Sequence, residues 1–251
     1  MQISGFCNIC DPKCKYRNCI CNSSFTNFYD TYNFISNITK IGDIELVKKW
    51  SISTMTLCCS LNCDVDLEKY LSVYINEVDP KKVKFYNCIN KYIGTKYQSK
   101  NKVSIKIFKN GNIQIAGILN ITSGAYTIRK IFKRIKNIGA FSSEKVPFVS
   151  DVRICMINSD FKINKNIKQS QLCKLFEESE DYGFIKRYTF NPSKYPGINV
   201  KAQINSEEKL ITCAIFRPGS IIITGGNNLD EYKKLFEKFL ILLEKNKQIL
   251  Y

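Results

Sequence analysis

The densest group of reactive side chains is at the start of the chain, where Cys7, Cys10, Cys14, Cys19 and Cys21 spell C-x2-C-x3-C-x4-C-x-C. Cys7 and Cys10 could close with Cys19 and Cys21 around a tetrahedral zinc. With no histidine in the chain the ligands would have to be thiolates. The alternative is a cysteine-rich, partly ordered extension without metal. The other seven of the 12 cysteines, among them Cys58, Cys59 and Cys63, are scattered through apolar patterns and read as reduced core thiols. The absence of histidine removes Ser-His-Asp triads, Cys-His dyads, HExxH zinc helices and facial-triad iron sites. No cluster of carboxylates offers general acid and base in their place, so no enzyme is expected.

The remaining chemistry is electrostatic. Lys+Arg of 38 against Asp+Glu of 22 gives a net charge of +16, which favours a polyanionic partner, most often nucleic acid. Asn, Ile and Lys are over-used and Arg is scarce, a pattern that AT-rich codons impose, so part of the lysine excess reports mutation bias. The longest apolar run, Phe239 to Leu243, is far short of the ~20 residues that cross a bilayer, and no apolar leader opens the sequence. A soluble intracellular protein with no membrane partner is expected.

The elements that must position these groups emerge from an internal repeat. The 251 residues suit one main domain with an appendage. Ile107 to Gly117 reads IFKNGNIQIAG and Ile215 to Gly225 reads IFRPGSIIITG, at an offset of 216 − 108 = 108. Each run is a hairpin that turns on Asn110-Gly111 or Pro218-Gly219. A helix follows in both halves, with Ile128, Ile131, Phe132 and Ile135 matched by Phe236, Phe239, Leu240 and Leu243 in one apolar stripe. Upstream, Pro80 pairs with Pro192 at 192 − 80 = 112, so small insertions separate the halves. Strands at 52–57 and 152–157 and short helices carrying Leu67, Tyr70 and Leu71 or Leu172, Leu175 and Phe176 complete each half. The fold class is α+β: two pseudo-symmetric repeats forming one curved antiparallel sheet, a saddle with helices on its convex face. The expected division is a cysteine-rich extension at 1–42, a first repeat at 43–146 and a second at 147–251.

These residues resemble the TATA-binding protein family, over about Lys49 to Gln248. Ile52-Ser-Thr-Met55 is similar to the Val-Ser-Thr-Val strand that opens each family repeat. IFRPGSIIITG fits the family's Ile-Phe-x-x-Gly-x-x-x-x-Thr-Gly hairpin, and Arg129 to Gly139 resembles its basic Arg-Lys-x-x-Arg helix. The divergence, the AT-biased composition and the cysteine-rich head look like the TATA-binding-protein-like factors of large cytoplasmic DNA viruses. A viral origin would place the protein in a cytoplasmic viral factory or the virion, a cellular origin in the nucleus.

The resemblance implies apolar wedges that enter between base steps of double-stranded, AT-rich promoter DNA from the minor groove and bend it, with no cofactor required. The wedges fall on Phe108 and Phe216, with Tyr195 as the partner in the second repeat. In the first repeat, counting three from Pro80 reaches Val83, whereas two inserted residues reach Phe85 and bring Lys91 onto a family arginine; Phe85 is taken. All four aromatics could instead be core residues. Strand alternation turns Ser220, Ile222 and Thr224 to the groove and Ile221 and Ile223 to the helices, with Asn112, Gln114 and Ala116 equivalent in the first repeat. Lys109 and Arg217, beside the hairpin wedges, join Lys91 as basic contacts. The family's paired asparagines, which read A·T acceptors, fall on Trp50 and on Ile154 or Cys155.

For partners, the resemblance assigns Arg129, Lys130, Lys133 and Arg134, with Lys136, to transcription-factor contacts; a plain solvated face is the alternative. Asn191 and Ser193 stand where the family carries glutamates that bind a TFIIB-type factor. The implied function is an initiation factor that binds and bends AT-rich promoters and recruits a TFIIB-like factor and RNA polymerase. The alternative is a protein scaffold of the same fold within a viral transcription complex, with weak or no DNA binding of its own.

Overall fold

The structure is a computed structural model and describes residues 26–77, 87–95, 98–178, 182–204 and 209–251. In chain order the elements are α1 (Thr26–Asn37), β1 (Lys40–Ile41), β2 (Ile44–Ser60), α2 (Leu67–Tyr74), β3 (Cys88–Thr95), β4 (Gln98–Phe108), β5 (Asn112–Ile118) and α3 (Ile121–Asn137). They continue with β6 (Ser150–Ile163), α4 (Gln169–Glu178), β7 (Ile185–Asn191), β8 (Tyr195–Ala202), β9 (Ile211–Phe216), β10 (Ser220–Thr224), α5 (Leu229–Lys245) and α6 (Lys247–Leu250). One compact unit contains Thr54–Cys155 and the other Asn27–Ser53 with Met156–Tyr251, so β2 and β6 each run through both.

In the first unit the strand order is β3-β4-β5-β2-β6, antiparallel where register is defined. Ile105, Ile115 and Leu57 form one cross-strand row and Ile107, Ile113 and Cys59 another, and all six are buried. Helix α3 lies over this face: a Cβ on Gly124 would come 2.4 Å from Leu57 Cδ1. The helix starts where Asn120 Oδ1 accepts from Ser123 N at 2.8 Å and ends with Arg134 and Lys136 in its last turn. Asp66 caps α2 in the same way, accepting from Lys69 N at 2.9 Å.

The second unit has the order β6-β10-β9-β8-β7, again antiparallel. Ile198, Ile215, Ile221 and Phe161 form its central buried row, and α5 packs on it through an edge-to-face contact of Phe161 with Phe236 at 4.8 Å. Tyr232 of α5 ties helix to sheet by donating to Ile157 O at 2.5 Å, and burial pushes its phenol above the ordinary range. Helix α1, at a stretch where the sequence reading assigned no element, belongs here. It buries Ile35, sets Tyr32 against Trp50 at 5.8 Å, and donates from Thr31 Oγ1 to Asp230 Oδ1 at 2.8 Å.

The hairpin tips show the repeat most clearly. Gly111 has φ 77° and Gly219 φ 82°, and a Cβ would fall 2.1 Å from Cys63 O or 2.4 Å from Lys165 O. Leu61 N donates to Gly111 O and Val65 N to Lys109 O; Ile163 N donates to Gly219 O and Ile167 N to Arg217 O. The supporting loops are thus offset by 163 − 61 = 102, the hairpins by 216 − 108 = 108, so a net six extra residues lie between loop and hairpin in the second repeat.

Candidate nucleic-acid interface

On the face away from the helices, alternation places the groups the sequence selected. Along β10, Ile221 and Ile223 are fully buried while Ile222 is 38% exposed, with Ser220 and Thr224 half-buried. Ile222 stands between Ala214 and Asp160, and Thr224 between Thr212 and Asn158. In the first unit Gln114 stands between Lys106 and Cys58, and Ala116 between Ser104 and Thr56.

Tyr195 opens β8 at 45% exposure, and Phe216 closes β9 half-buried. Their ring centroids are 5.7 Å apart at an interplanar angle of 64°. Gly197 makes the approach possible, since a Cβ there would press on both rings at 3.0 Å. Phe108 ends β4 half-buried, and Lys109 and Arg217 sit exposed on their hairpin tips. The two rings in the second unit therefore form one flat-edged apolar projection.

The register corrects the expected place of Lys91. Cys88 pairs with Phe108 as Gly197 pairs with Phe216, an offset of 197 − 88 = 109. Lys91 then corresponds to Val200 and lies in the row of Ile105, Ile115 and Leu57, facing the helices. It is 0% exposed and donates from Nζ to Tyr70 OH at 2.9 Å, with Nζ 5.1 and 5.2 Å from the Tyr70 and Tyr74 ring centres. A side chain so placed cannot reach a phosphate. Phe85 lies outside the described residues.

Trp50 is 1% and Ile154 7% exposed, so neither takes over an asparagine's reading role. Cys155 is half-buried. Asn158 was missed: its Oδ1 accepts from Thr224 Oγ1, which puts an amide beside the threonine of the open face. A count by twos from the buried Val152 turns Asn158 the wrong way, because the phase of β6 slips at Cys155/Met156. Also missed were Asp160, paired with Lys48 opposite Ile222, and Lys201, which donates from Nζ to Thr212 Oγ1 at 2.5 Å. Among the proposed partner residues, Arg129, Lys133 and Lys136 are exposed and Lys130 is half-buried. Arg134 is half-buried with its guanidinium carbon 5.0 Å over the Tyr74 ring. Asn191 and Ser193 are exposed at the turn before Tyr195.

Cys7, Cys10, Cys19 and Cys21 lie outside the described residues; among those described, no group of three or more metal-ligating side chains converges. No described helix is long and apolar enough to cross a membrane.

The structure of the Methanococcus jannaschii TATA-binding protein superposes over 78% of this chain and 98% of its own, at a TM-score of 0.58 and 19% identity. The fold is accordingly that of a TATA-binding protein. The family model described as transcription factor TFIID, or TATA-binding protein, matches residues 172–246. A TATA-box-binding protein-like protein of Acanthamoeba polyphaga mimivirus is 25% identical over 225 residues, covering 71% of this chain, and the chain spans 60% of that relative's length. The TATA-box-binding protein of Methanococcus maripaludis is 21% identical over 201 residues, 80% of this chain and 97% of its own. The chain is thus similar to TATA-binding proteins in fold and, over residues 172–246, in sequence.

Proposed function

We propose that this protein is a transcription initiation factor that binds AT-rich promoter DNA in the minor groove, bends it, and recruits a TFIIB-like factor and RNA polymerase. The observation that carries the reading is the Tyr195 and Phe216 pair: two rings in contact, partly exposed, at the end of a sheet whose open face carries Ile222 and Thr224. Flat apolar groups so placed can enter a base step, and burial of the open face against the widened groove offsets the few kcal/mol of unstacking. Phe108 is the hairpin wedge of the first repeat, with Phe85 its proposed companion. Lys109 and Arg217 meet phosphates. Gln114, Ile222 and Thr224 meet the groove, and Asn158 beside Thr224 supplies an amide for A·T acceptors.

Arg129, Lys130 and Lys133 are proposed to meet other factors, and Asn191 and Ser193 the TFIIB-like factor through uncharged contacts. The repeats are proposed to divide at 146/147, after an extension at 1–42 in which four of the five cysteines, Cys7, Cys10, Cys19 and Cys21, bind structural zinc. The resemblance to a mimivirus protein supports action in a viral transcription apparatus, in the cytoplasmic factory.

The experiment is energy transfer between the labelled ends of an AT-rich duplex of about two helical turns. Higher transfer on binding supports the reading. Binding without a change in transfer would sink it. A second reading, a protein scaffold with little DNA binding, draws on Gln114 and on Asp160, a carboxylate on the open face. It predicts no retardation of the duplex at low salt.

A further inference from the structure

Two thiols meet on neighbouring strands of the first unit. β2 lies beside β6 in the sheet. Asn62, just past the end of β2, donates from Nδ2 to Ser150 Oγ at 2.5 Å and to Phe148 O at 3.1 Å, at the start of β6. The strands are antiparallel: earlier along β2, Ser53 Oγ donates to Asn158 O, and earlier still Lys48 pairs with Asp160. Cys58 on β2 and Cys155 on β6 lie between the Asn62 to Ser150 and Ser53 to Asn158 anchors. Both cysteines are half-buried and outside any disulfide, and their side chains hydrogen-bond to one another.

We propose that Cys58 and Cys155 form an oxidisable dithiol, a site at which hydrogen peroxide closes a disulfide between β2 and β6. Side chains that hydrogen-bond across neighbouring antiparallel strands are within reach of the Cα separation of about 4.4–6.8 Å that a disulfide spans. The hydrogen bond with Cys155, then burial, pushes the Cys58 thiol above its ordinary range. Cys155 is then the attacking sulfur. Its sulfur bonds to one peroxide oxygen as the O–O bond breaks and one water leaves, giving a sulfenic acid. The Cys58 sulfur displaces that hydroxyl, forming S–S as S–O breaks, and a second water carries off the remaining proton. The two sulfurs together lose two electrons and the two peroxide oxygens gain them. Cys59, next in sequence, faces the opposite way into the row of Ile107 and Ile113, and Cys213 is fully buried. The proposal does not depend on DNA binding.

The test uses the full chain, reduced, freed of reductant and exposed to one equivalent of hydrogen peroxide. Free thiols are then alkylated and the protein is mapped by mass spectrometry without reduction. Trypsin should release the 154–162 peptide linked to the 50–69 peptide, with both thiols lost from labelling and recovered by dithiothreitol. Because 50–69 also holds Cys59 and Cys63, C58S should abolish the link and C59S leave it, with circular dichroism confirming that each variant folds. Cys155 staying alkylated while other cysteines oxidise, joining a different cysteine, or still linking to 50–69 in folded C58S overturns the proposal.

Discussion

Replacing Phe216 and Tyr195 with alanine, singly and together, is the sharpest perturbation of the open face. Truncating a fully buried phenylalanine costs about 3–5 kcal/mol. Tyr195 is 45% exposed and Phe216 half-buried, so each should cost about 2 kcal/mol of stability. Their edge-to-face contact at 5.7 Å contributes roughly 1 kcal/mol, so the double variant should lose less than the sum of the singles by about that amount. The effect on DNA is different in kind. If the rings return the few kcal/mol that one unstacked step costs, their loss should weaken binding to a bent duplex about 30-fold to 150-fold. Electrostatic association through lysines and arginines should survive at low salt. The assay pairs a urea melt, to show that the variants fold, with energy transfer between duplex ends at saturating protein. Gly197→Ala is an internal control: its Cβ would press on both rings at 3.0 Å and should lower the transfer part of the way without deleting either ring. A folded double variant that still raises energy transfer to the wild-type level would refute the assignment of the rings as wedges.

Lys91→Met should leave the salt dependence of DNA binding unchanged, because the ammonium is buried against Tyr70, whereas Arg217→Gln should lower the slope of log K against log salt by about 0.9; equal slopes for the two variants would contradict the register. The hydrogen bond from Lys247, then its charge, holds the Asp43 carboxyl below its ordinary range and lifts the Lys247 ammonium above its own. The pair's stabilisation is therefore present above the ordinary carboxylate range, fades as pH falls through the lowered Asp43 value, and fades again as pH rises through the raised Lys247 value. In Lys247→Met, carbon-detected NMR should find Asp43 titrating at a higher pH, and no movement would exclude the pair in solution. Full-length protein under reducing conditions should carry one zinc, removed by replacing Cys7 and Cys10 with serine; less than about half an equivalent by elemental analysis would reject the site.

The sequence by itself determined the repeat, the two hairpins and their glycines, and the helix stripes, because each is a local signal. Asn110-Gly111 and Pro218-Gly219 need a positive φ at glycine, and the apolar period of Ile128 to Ile135 survives any context. The alternation in β10 was legible for the same reason: a strand of five residues anchored by a fixed turn has no freedom to shift phase. Tertiary structure decided what depended on register across an insertion. Pro80 and Pro192 differ by 112, the supporting loops by 102 and the β3/β8 pairing by 109, so no single count along the chain could fix which side β3 turns to the helices. A one-residue error reverses every side chain in a strand, which is why Lys91 changed from an expected phosphate contact to a buried partner of Tyr70. The same holds for β2 and β6, where the buried phase slips at Met55/Thr56 and again at Cys155/Met156. Those slips hide Asn158 and the facing thiols of Cys58 and Cys155 from any count by twos, because only hydrogen bonds to a neighbouring strand set the phase of a strand beyond its irregularity.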